Sequence, residues 1–346
     1  MRRRARGILV AVTFLAGGAS TLLPAAEAGR PHASTGCGEP APQAPGESAA
    51  GELHVGSLLR RYRLRLPAGY DPSAPAPLVL VFHGYTGTAQ GVDAELPSFR
   101  SRADKRGAVL VYPQATGFVS EGRTVTSWND VACQTSPGPE GSVCTETAHD
   151  YPTPPECGTS RECDWCTCHD DVGFIVALLD DLEKSLCLDL DRVFATGISN
   201  GAMFVHRLGC DLPERFAAIA PVAGTLARGL GCTPSGASPV SIMNIHGTAD
   251  TLVPADGSPG SDGFLYTPST RVMEAWAGSQ GCRLEESPYP TAFDGVRSLR
   301  CMERSGCRTG SEVVDCAWDG GHEWPRAGDD ELSAGLIWDF FERNAR

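Results

Sequence analysis

The sequence predicts an α/β fold in which helices cover both faces of a mostly parallel sheet. Short, continuous apolar runs that are typical of buried parallel strands alternate with stretches whose apolar residues recur at helical spacing. The conspicuous glycine and polar residues directly follow several of these runs, at the edge where a parallel sheet places its ligand site. The chain of 346 residues is long for one domain, but its length is normal for a single large α/β domain.

Strands are predicted where the sequence alternates or is continuously apolar. Residues 58–66 alternate arginine with apolar side chains, which indicates a half-buried strand near a sheet edge. The other strands are predicted at 77–82, 108–113, 193–196, 216–222 and 240–245. Helices are predicted at 99–106, 171–186, 202–208, 270–280 and 331–343.

The N-terminus is predicted to be a targeting segment over residues 1–28. Four arginines precede a broken apolar stretch, and Ala26-Glu27-Ala28 has the small-x-small pattern of a cleavage site. Residues 29–50 are rich in Pro, Ala, Gly and Ser and are predicted to be a linker that Cys37 ties down. The catalytic domain is predicted over 51–346. We therefore expect a secreted protein that has no membrane contact after the signal is removed.

Charge and cysteine content narrow the possible partners. The formal net charge of −13 at pH 7 disfavours nucleic acid and polyanionic polysaccharide, and it fits a neutral or cationic target. The 14 cysteines are an even number in a chain with a secretion signal, which predicts disulfides. Their pairing does not follow from the sequence. The cluster Cys163–Cys168 has the C-x-x-C spacing of some metal sites, but disulfides are favoured, so neither a metal nor a cofactor is predicted.

Two cysteine-bearing excursions interrupt the alternation of strands and helices. Residues 114–170 are dense in Cys, Pro, Ser, Thr and Gly and show little periodicity. A long stretch of this kind inside a compact domain is usually functional, so we expect it to lie over the active site. Residues 281–316 form the second excursion, in which a hairpin is predicted.

The candidate nucleophile is Ser199, within the G-x-S-x-G sequence Gly197–Gly201. This sequence lies between the predicted strand 193–196 and the predicted helix 202–208, in the order that a nucleophile elbow requires. A serine hydroxyl is a poor nucleophile at neutral pH, so it must be held clear of the backbone where a histidine can reach it. The pattern alone is also typical of an ordinary glycine-rich turn, but the context favours the elbow.

Two further strand ends supply candidate partners for this serine. Asp250 follows His246-Gly247, and His322 follows Gly320-Gly321. The order serine, aspartate, histidine along the chain is that of α/β-hydrolase triads. In this hypothesis His322 takes the proton from Ser199 and later gives it to the leaving alcohol, while Asp250 orients the imidazole. Aspartate is common in turns, so nearby aspartates are alternatives for this third position: Asp256, Asp262 and Asp294.

Backbone N–H groups are predicted to stabilise the oxyanion of the reaction. Asn200 supplies one at a helix N-terminus, and Tyr85 supplies the other after His83-Gly84. Trp128 and Trp324 are candidate aromatic walls for a substrate, with packed loop anchors as an equal alternative. The remaining strand-end and helix histidines are predicted to be structural: His83, His206 and His246.

These residues resemble those of the secreted polyhydroxybutyrate depolymerases and feruloyl esterases, the LpqC-like branch of the α/β-hydrolases. The matching stretches span nearly the whole mature chain and include 127–129, 170–174, 192–201, 216–224, 246–254 and 320–325. The resemblance implies hydrolysis of esters, with Ser199, Asp250 and His322 at the triad positions. The two cysteine-bearing excursions depart from the family pattern, so substrate specificity is not carried over.

The sequence thus predicts a secreted serine carboxylic-ester hydrolase that acts on polymer-linked esters. The ester is either a hydroxycinnamoyl group on plant polysaccharide or a hydroxyalkanoate polyester. A prolyl-oligopeptidase-like secreted peptidase is an alternative, because such domains share the elbow and the triad order. A non-catalytic secreted binding protein, with a relic elbow and metal-loaded cysteines, is another. The acyl group, the alcohol and the oligomeric state stay open at this point.

Overall fold

The computed structural model describes most of the chain beyond its N-terminus. The described residues are 32–133, 136–158, 162–234, 238–293, 296, 299–308, 310–326 and 331–346. The predicted targeting segment, 1–28, and the alternative acid Asp294 lie outside the described residues.

Strands and helices alternate through the described part of the chain. The strands are β1 (Ser48–Val55), β2 (Leu58–Arg65), β3 (Ala76–Phe82), β4 (Val109–Pro113), β5 (Gly117–Ser120), β6 (Arg123–Thr126), β7 (Leu188–Ile198), β8 (Ala218–Val222), β9 (Ser241–Gly247), β10 (Glu286–Pro288), β11 (Leu299–Arg304) and β12 (Val313–Trp318). The helices are α1 (Ala89–Glu95), α2 (Pro97–Arg106), α3 (Asp171–Ser185), α4 (Asn200–Asp211), α5 (Ser269–Gln280) and α6 (Glu331–Arg343).

Ten of the described strands form one sheet in the order β1-β2-β4-β3-β7-β8-β9-β12-β11-β10. The six central strands, from β4 to β12 in this order, pair in parallel. Antiparallel strands extend the sheet at both edges, β1 and β2 on one side and β10 and β11 on the other. The predicted mostly parallel sheet is therefore confirmed, and the alternating run at 58–66 does form a strand next to the edge.

Both faces of the central strands are buried, which explains their continuous apolar sequence. In β3, Leu78, Leu80 and Phe82 pack into one core with residues of α3, α4 and α5. Val79 and Val81 point to the opposite face and pack with residues of α1, α2 and α6. Burying one such aliphatic side chain contributes about 2 kcal/mol, so helices on both faces stabilise the strand. The predicted α/β layering is confirmed.

The described part of the predicted linker, residues 32–50, is not a free linker. Strand β1 begins at Ser48, which places the start of the sheet before the predicted domain boundary. Ser34 is 5% exposed; its backbone N–H donates to Leu188 O at 2.9 Å, and its hydroxyl donates to Leu186 O. A disulfide joins Cys37 to Cys187. Since Ser34 finds hydrogen-bond partners at the end of α3 and the start of β7, the segment packs as part of the domain.

All 14 cysteines are paired, which confirms the predicted disulfides. Three bridges lie within the first excursion: Cys133–Cys166, Cys144–Cys163 and Cys157–Cys168. Two lie in the second excursion, Cys282–Cys307 and Cys301–Cys316, and the others are Cys37–Cys187 and Cys210–Cys232. The second excursion contains the predicted hairpin, formed by β11 and β12. None of the described helices combines the length and the apolar character that a membrane crossing requires.

Candidate active site

Ser199 occupies a sharp turn between β7 and α4. Its φ of +58° is unusual for a residue with a side chain and costs on the order of 1–3 kcal/mol. The turn is held because the N–H of Ser199 donates to Val222 O on β8 at 3.0 Å. The flanking glycines allow the helix to approach the sheet: a Cβ on Gly197 would lie 2.9 Å from the carbonyl carbon of Gly201. Strand, turn and helix therefore have the geometry that a nucleophile elbow requires.

The structure brings Ser199, His322 and Asp250 into contact. His322 Nε2 lies 2.8 Å from Ser199 Oγ, although the two residues are 123 positions apart. His322 Nδ1 lies 2.7 Å from Asp250 Oδ2. An ionised carboxylate only accepts hydrogen bonds, so Nδ1 carries the proton and Nε2 is free to accept the serine hydroxyl. The arrangement places an imidazole nitrogen that can accept a proton beside the serine hydroxyl, and a carboxylate behind the imidazole.

Asp250 is buried but well supplied with donors. Its Oδ1 accepts the N–H groups of Leu252 and Val253 at 3.0 and 2.9 Å. Burial raises the pKa of the carboxyl, but hydrogen bonds from His246 and His322 outweigh burial and lower its pKa well below the ordinary value. Asp250 is therefore an anion whenever the site is folded near neutral pH.

The two other candidate aspartates that the structure describes form their hydrogen bonds with residues other than His322. Asp256 accepts hydrogen bonds from Ser258 in an exposed turn, and Asp262 accepts one from Tyr151. Of the three candidates that the structure describes, Asp250 alone forms a hydrogen bond with His322.

The side chain of Asn200 is fixed on both of its polar atoms. Its Oδ1 accepts the N–H of Trp128 at 2.8 Å, and its Nδ2 donates to Trp128 O at 3.0 Å and to Asp130 Oδ2 at 3.1 Å. Asn200 is also the first residue of α4, where backbone N–H groups have no acceptor within the helix. Tyr85 lies in the loop after β3, and a Cβ on Gly84 of that loop would lie 3.2 Å from Ser199 Cβ. Both candidate donors therefore lie near Ser199.

A pocket of about 350 Å³ opens at Ser199 and His322. Aromatic side chains supply much of its wall: Tyr85, Tyr151, Trp165 and Tyr266. Tyr151 and Trp165 come from the first excursion, so that segment does reach the site as the sequence predicts. Two of its disulfides, Cys144–Cys163 and Cys133–Cys166, flank Trp165 and hold this wall in place.

The prediction that Trp128 and Trp324 form walls of the substrate site is wrong. Both side chains are 0% exposed. Trp128 stacks on Phe204 at 5.1 Å, and its Nε1 donates to His83 O at 3.0 Å. Trp324 packs in the core on the opposite face of the sheet. Both are packed anchors, because a large ring in a loop next to the sheet gains more by filling the core than by facing solvent.

Trp165 and Asp130 are site residues that sequence reasoning missed. Asp130 is 2% exposed and accepts Trp165 Nε1 at 2.9 Å, besides the bond from Asn200. Burial raises the pKa of Asp130 to about 6, although hydrogen bonds from Trp165, Ala132 and Asn200 oppose the rise. This carboxylate joins the pocket wall to the residue after the nucleophile. In the sequence Trp165 lies between Cys163 and Cys166, and this position could have identified it as a candidate site residue.

The remaining histidines pack as the sequence predicts. His83 Nδ1 donates to Gly84 O at 2.8 Å, and Ala115 N–H donates to His83 Nε2 at 3.2 Å. Burial lowers the pKa of His83 and of His206 to about 4, so both rings are neutral near pH 7. His246 Nε2 lies 2.7 Å from Val253 O in the loop that carries Asp250.

Three groups of residues in the described part of the chain have metal-ligand spacing. They combine cysteines with an acid or a histidine: Cys157, Cys168 and His169; Asp130, Cys133 and Cys166; Cys144, Glu162 and Cys163. Every cysteine in these groups is in a disulfide, so no thiolate is available to bind a metal. The hypothesis of metal-loaded cysteines is therefore wrong for this pairing.

Comparison with known proteins supports an esterase. No family model matches the sequence. The chain is 30% identical over 303 residues to NocK of Nocardia uniformis subsp. tsuyamanensis, a protein named as an esterase; the match covers 82% of this chain and 76% of NocK. It is 26% identical over 286 residues to feruloyl esterase C of Emericella nidulans, a match that covers 82% of this chain and 83% of the relative.

Solved structures support the fold. The acetyl xylan esterase from Aspergillus awamori superposes with a TM-score of 0.54 at 18% identity, covering 85% of this chain and 99% of that one. The S-formylglutathione hydrolase from Agrobacterium tumefaciens superposes with a TM-score of 0.51 at 12% identity, covering 86% and 95%. The architecture is the α/β-hydrolase fold. The extent and identity of the match with NocK show that this chain belongs to the same esterase family and is a carboxylic ester hydrolase.

Proposed function

We propose that the protein is a secreted serine esterase that removes hydroxycinnamoyl groups from polysaccharide. The observation that carries the proposal is the hydrogen-bonded chain from Ser199 through His322 to Asp250, at the mouth of a pocket with aromatic walls. The relative named feruloyl esterase C supports the choice of acyl group.

In the proposed reaction Ser199 Oγ attacks the carbonyl carbon of the ester. His322 Nε2 accepts the hydroxyl proton as the C–O bond forms, and Asp250 stabilises the imidazolium through Nδ1. The tetrahedral intermediate then releases the alcohol, which takes the proton from His322. Water attacks the acyl-serine by the same route, with His322 again as base. The products are a free acid and the alcohol, and Ser199 regains its proton.

The backbone N–H groups of Tyr85 and Asn200 are the proposed oxyanion donors. The charge on the carbonyl oxygen develops beside α4, whose N-terminus is electropositive. Each such donor contributes on the order of 3 kcal/mol to the transition state. The hydrogen bonds that the Asn200 side chain accepts from the Trp128 N–H and donates to Trp128 O and Asp130 keep its backbone in place during the reaction.

The walls of the pocket favour a planar aromatic acyl group. Tyr151, Trp165 and Tyr266 offer faces and edges for ring contacts, each worth about 1 kcal/mol beyond the buried area. A hydroxyalkanoate has no ring to make these contacts. The same pocket holds Met203 and Leu252, which add apolar surface around a ring.

Secretion is proposed from the disulfides together with the predicted signal. Seven bridges pair every cysteine, and structural disulfides persist in oxidising compartments. A polysaccharide outside the cell is a substrate that a secreted enzyme can reach.

The first test is the substitution Ser199→Ala, with exposed Ser73→Ala as the matched control. We expect Ser199→Ala to lower kcat on methyl ferulate by roughly 10⁴-fold or more, because the nucleophile is lost. A fluorophosphonate probe should label the parent enzyme and Ser73→Ala, but not Ser199→Ala. Turnover that survives in a folded Ser199→Ala variant would refute the nucleophile.

The acyl group is tested with a substrate panel. We expect kcat/KM for methyl ferulate to exceed the values for a short hydroxybutyrate ester and for a peptide amide. Higher kcat/KM on the hydroxybutyrate ester would shift the function to polyester hydrolysis. Faster cleavage of the amide would make the protein a peptidase.

A further inference from the structure

We propose that Asp262 and Tyr151 form a subsite that binds the phenolic hydroxyl of the acyl group. The enzyme would then prefer esters of 4-hydroxycinnamic acids over cinnamic esters that lack the hydroxyl. This inference rests on the proposed function, because it places the aromatic ring of the acyl group in the pocket.

Asp262 is unusual among the residues around the pocket. Of the described residues that line it, Asp262 alone carries a carboxylate, and the same wall includes Trp165, Tyr266 and Leu252. A carboxylate that faces apolar groups loses hydration, which costs free energy unless donors replace the water. The presence of this acid in an aromatic wall therefore calls for a donor.

The described part of the chain supplies Asp262 with fewer donors than the carboxylate can accept. Tyr151 hydroxyl donates to Oδ2 at 2.9 Å, and the N–H of Phe264 donates to Oδ1 at 3.1 Å. In the part of the chain that the structure describes, no Lys, Arg or His forms an ion pair with Asp262. An ionised carboxylate has about four acceptor positions, so two remain for a ligand.

Tyr151 is held in place beside the acid. The centroid of its ring lies 5.0 Å from that of Tyr85, 4.5 Å from that of His149 and 5.4 Å from that of Phe264. Burial, together with the charge and the hydrogen bond of Asp262, raises the pKa of the Tyr151 hydroxyl above its ordinary value, so the group stays a neutral donor. Its oxygen can still accept one further hydrogen bond. The pair thus offers a fixed anionic acceptor beside a neutral hydroxyl.

A phenolic hydroxyl matches this pair. Its O–H donates to a carboxylate in a short, charge-assisted hydrogen bond that is about twice as strong as a neutral one. Its ring fills the aromatic wall at the same time. A site built around such a bond discriminates against analogues without the hydroxyl, because the carboxylate then loses a donor that the ligand supplied.

The test compares three esters on one scaffold: methyl 4-hydroxycinnamate, methyl 4-methoxycinnamate and methyl cinnamate. For the parent enzyme we expect kcat/KM on the hydroxy ester to exceed that on each of the other two esters by about tenfold or more. The readout is this ratio within each variant, so that a general loss of activity cancels. Asp262→Asn should lower the ratio several-fold, since the neutral amide is a weaker acceptor.

The matched control is Asp256→Asn, at an exposed turn outside the aromatic pocket. It should leave the ratio unchanged. Equal kcat/KM for the three esters in the parent enzyme would overturn the subsite even if no variant folds. A preference that survives in folded Asp262→Asn would overturn it too.

The two proposals fail in different ways. If the enzyme turns over p-nitrophenyl acetate but none of the three cinnamates, the proposed acyl group is wrong. If it turns over all three cinnamates equally, the proposed function stands and the subsite is wrong.

Discussion

Asp130 illustrates how one buried carboxylate can organise both sides of a site. Its Oδ2 accepts Trp165 Nε1, from the pocket wall, and Asn200 Nδ2, from the residue after the nucleophile. Its Oδ1 accepts the N–H of Ala132. A neutral amide at this position would have to turn one donor toward another, so an ionised acid is the side chain that satisfies all three donors. Burying this charge costs free energy, and the raised pKa of Asp130 reflects that cost.

The raised pKa predicts a pH-dependent difference between the parent protein and Asp130→Asn. The pKa of Asp130 is about 6 in the folded state, above the ordinary value of 3.8. Between about pH 6 and pH 4 the folded protein therefore binds a proton that the unfolded chain does not. As pH falls from 7 to 4, the parent should gain on the order of 3 kcal/mol in unfolding free energy relative to Asp130→Asn.

Denaturant unfolding of both proteins at pH 4, 5, 6 and 7 measures this difference. The lowered pKa of Asp250 costs stability at acid pH in both proteins, so it cancels in the comparison. A difference that stays flat across the range would contradict the buried charge at Asp130.

The turn at Ser199 requires two elements of the fold to approach closely, because the start of α4 must contact the end of β3. A Cβ on Gly201 would lie 2.8 Å from Phe82 O and would also overlap His83 O. These are backbone atoms of a central strand that cannot move away cheaply. By contrast, Gly278 in α5 has nothing within 4 Å of its Cβ position.

These two helical glycines make a matched pair. Gly201→Ala should destabilise the protein by about 2 kcal/mol through overpacking and should lower kcat at least tenfold, since it displaces Ser199 and Asn200. Gly278→Ala should raise stability by up to about 1 kcal/mol, because alanine is the better helix former, and should leave kcat unchanged. Thermal melts and turnover of an ester measure both effects. Full activity in Gly201→Ala would show that the elbow does not need this close approach.

The central elements could be predicted from the sequence, and the peripheral ones could not. Apolar runs and helical spacing predicted β3, β7 and β9, because strands buried on both faces carry their own signal. Strand β1 and helix α1 were missed; the first lies in a stretch rich in Gly, Ala and Ser, and the second is a helix of seven residues. Short elements at the edge of a fold are stabilised by tertiary contacts, and the local sequence does not show which residues make those contacts.

At the scale of the whole molecule, sheet order explains why distant residues meet. Ser199 follows β7, Asp250 follows β9 and His322 follows β12, and these strands lie close together in the sheet. Because the strands are parallel, their carboxyl ends share one edge, so residue type and strand end together predicted the three side chains. The pocket wall was not predictable in the same way. Trp165 reaches the site through disulfides, and 14 cysteines allow too many pairings to choose from sequence.

The longest disulfide loop ties the N-terminal segment to the domain. Cys37 and Cys187 are 150 positions apart, whereas Cys157 and Cys168, within the first excursion, are 11 apart. In the chain-entropy account a bridge stabilises by restricting the unfolded chain, and the effect grows with loop length. The account gives roughly 5 kcal/mol for the long loop and about 3 kcal/mol for the short one.

Replacing both cysteines of each bridge by serine should therefore destabilise the protein more at Cys37–Cys187 than at Cys157–Cys168. The first double variant also frees residues 32–47, whose contacts include the hydrogen bonds of Ser34 with the start of β7. Guanidinium unfolding, with the other bridges kept oxidised, gives both free energies. An equal or larger loss at the short loop would mean that local packing around the first excursion, rather than restriction of the unfolded chain, determines what these bridges contribute.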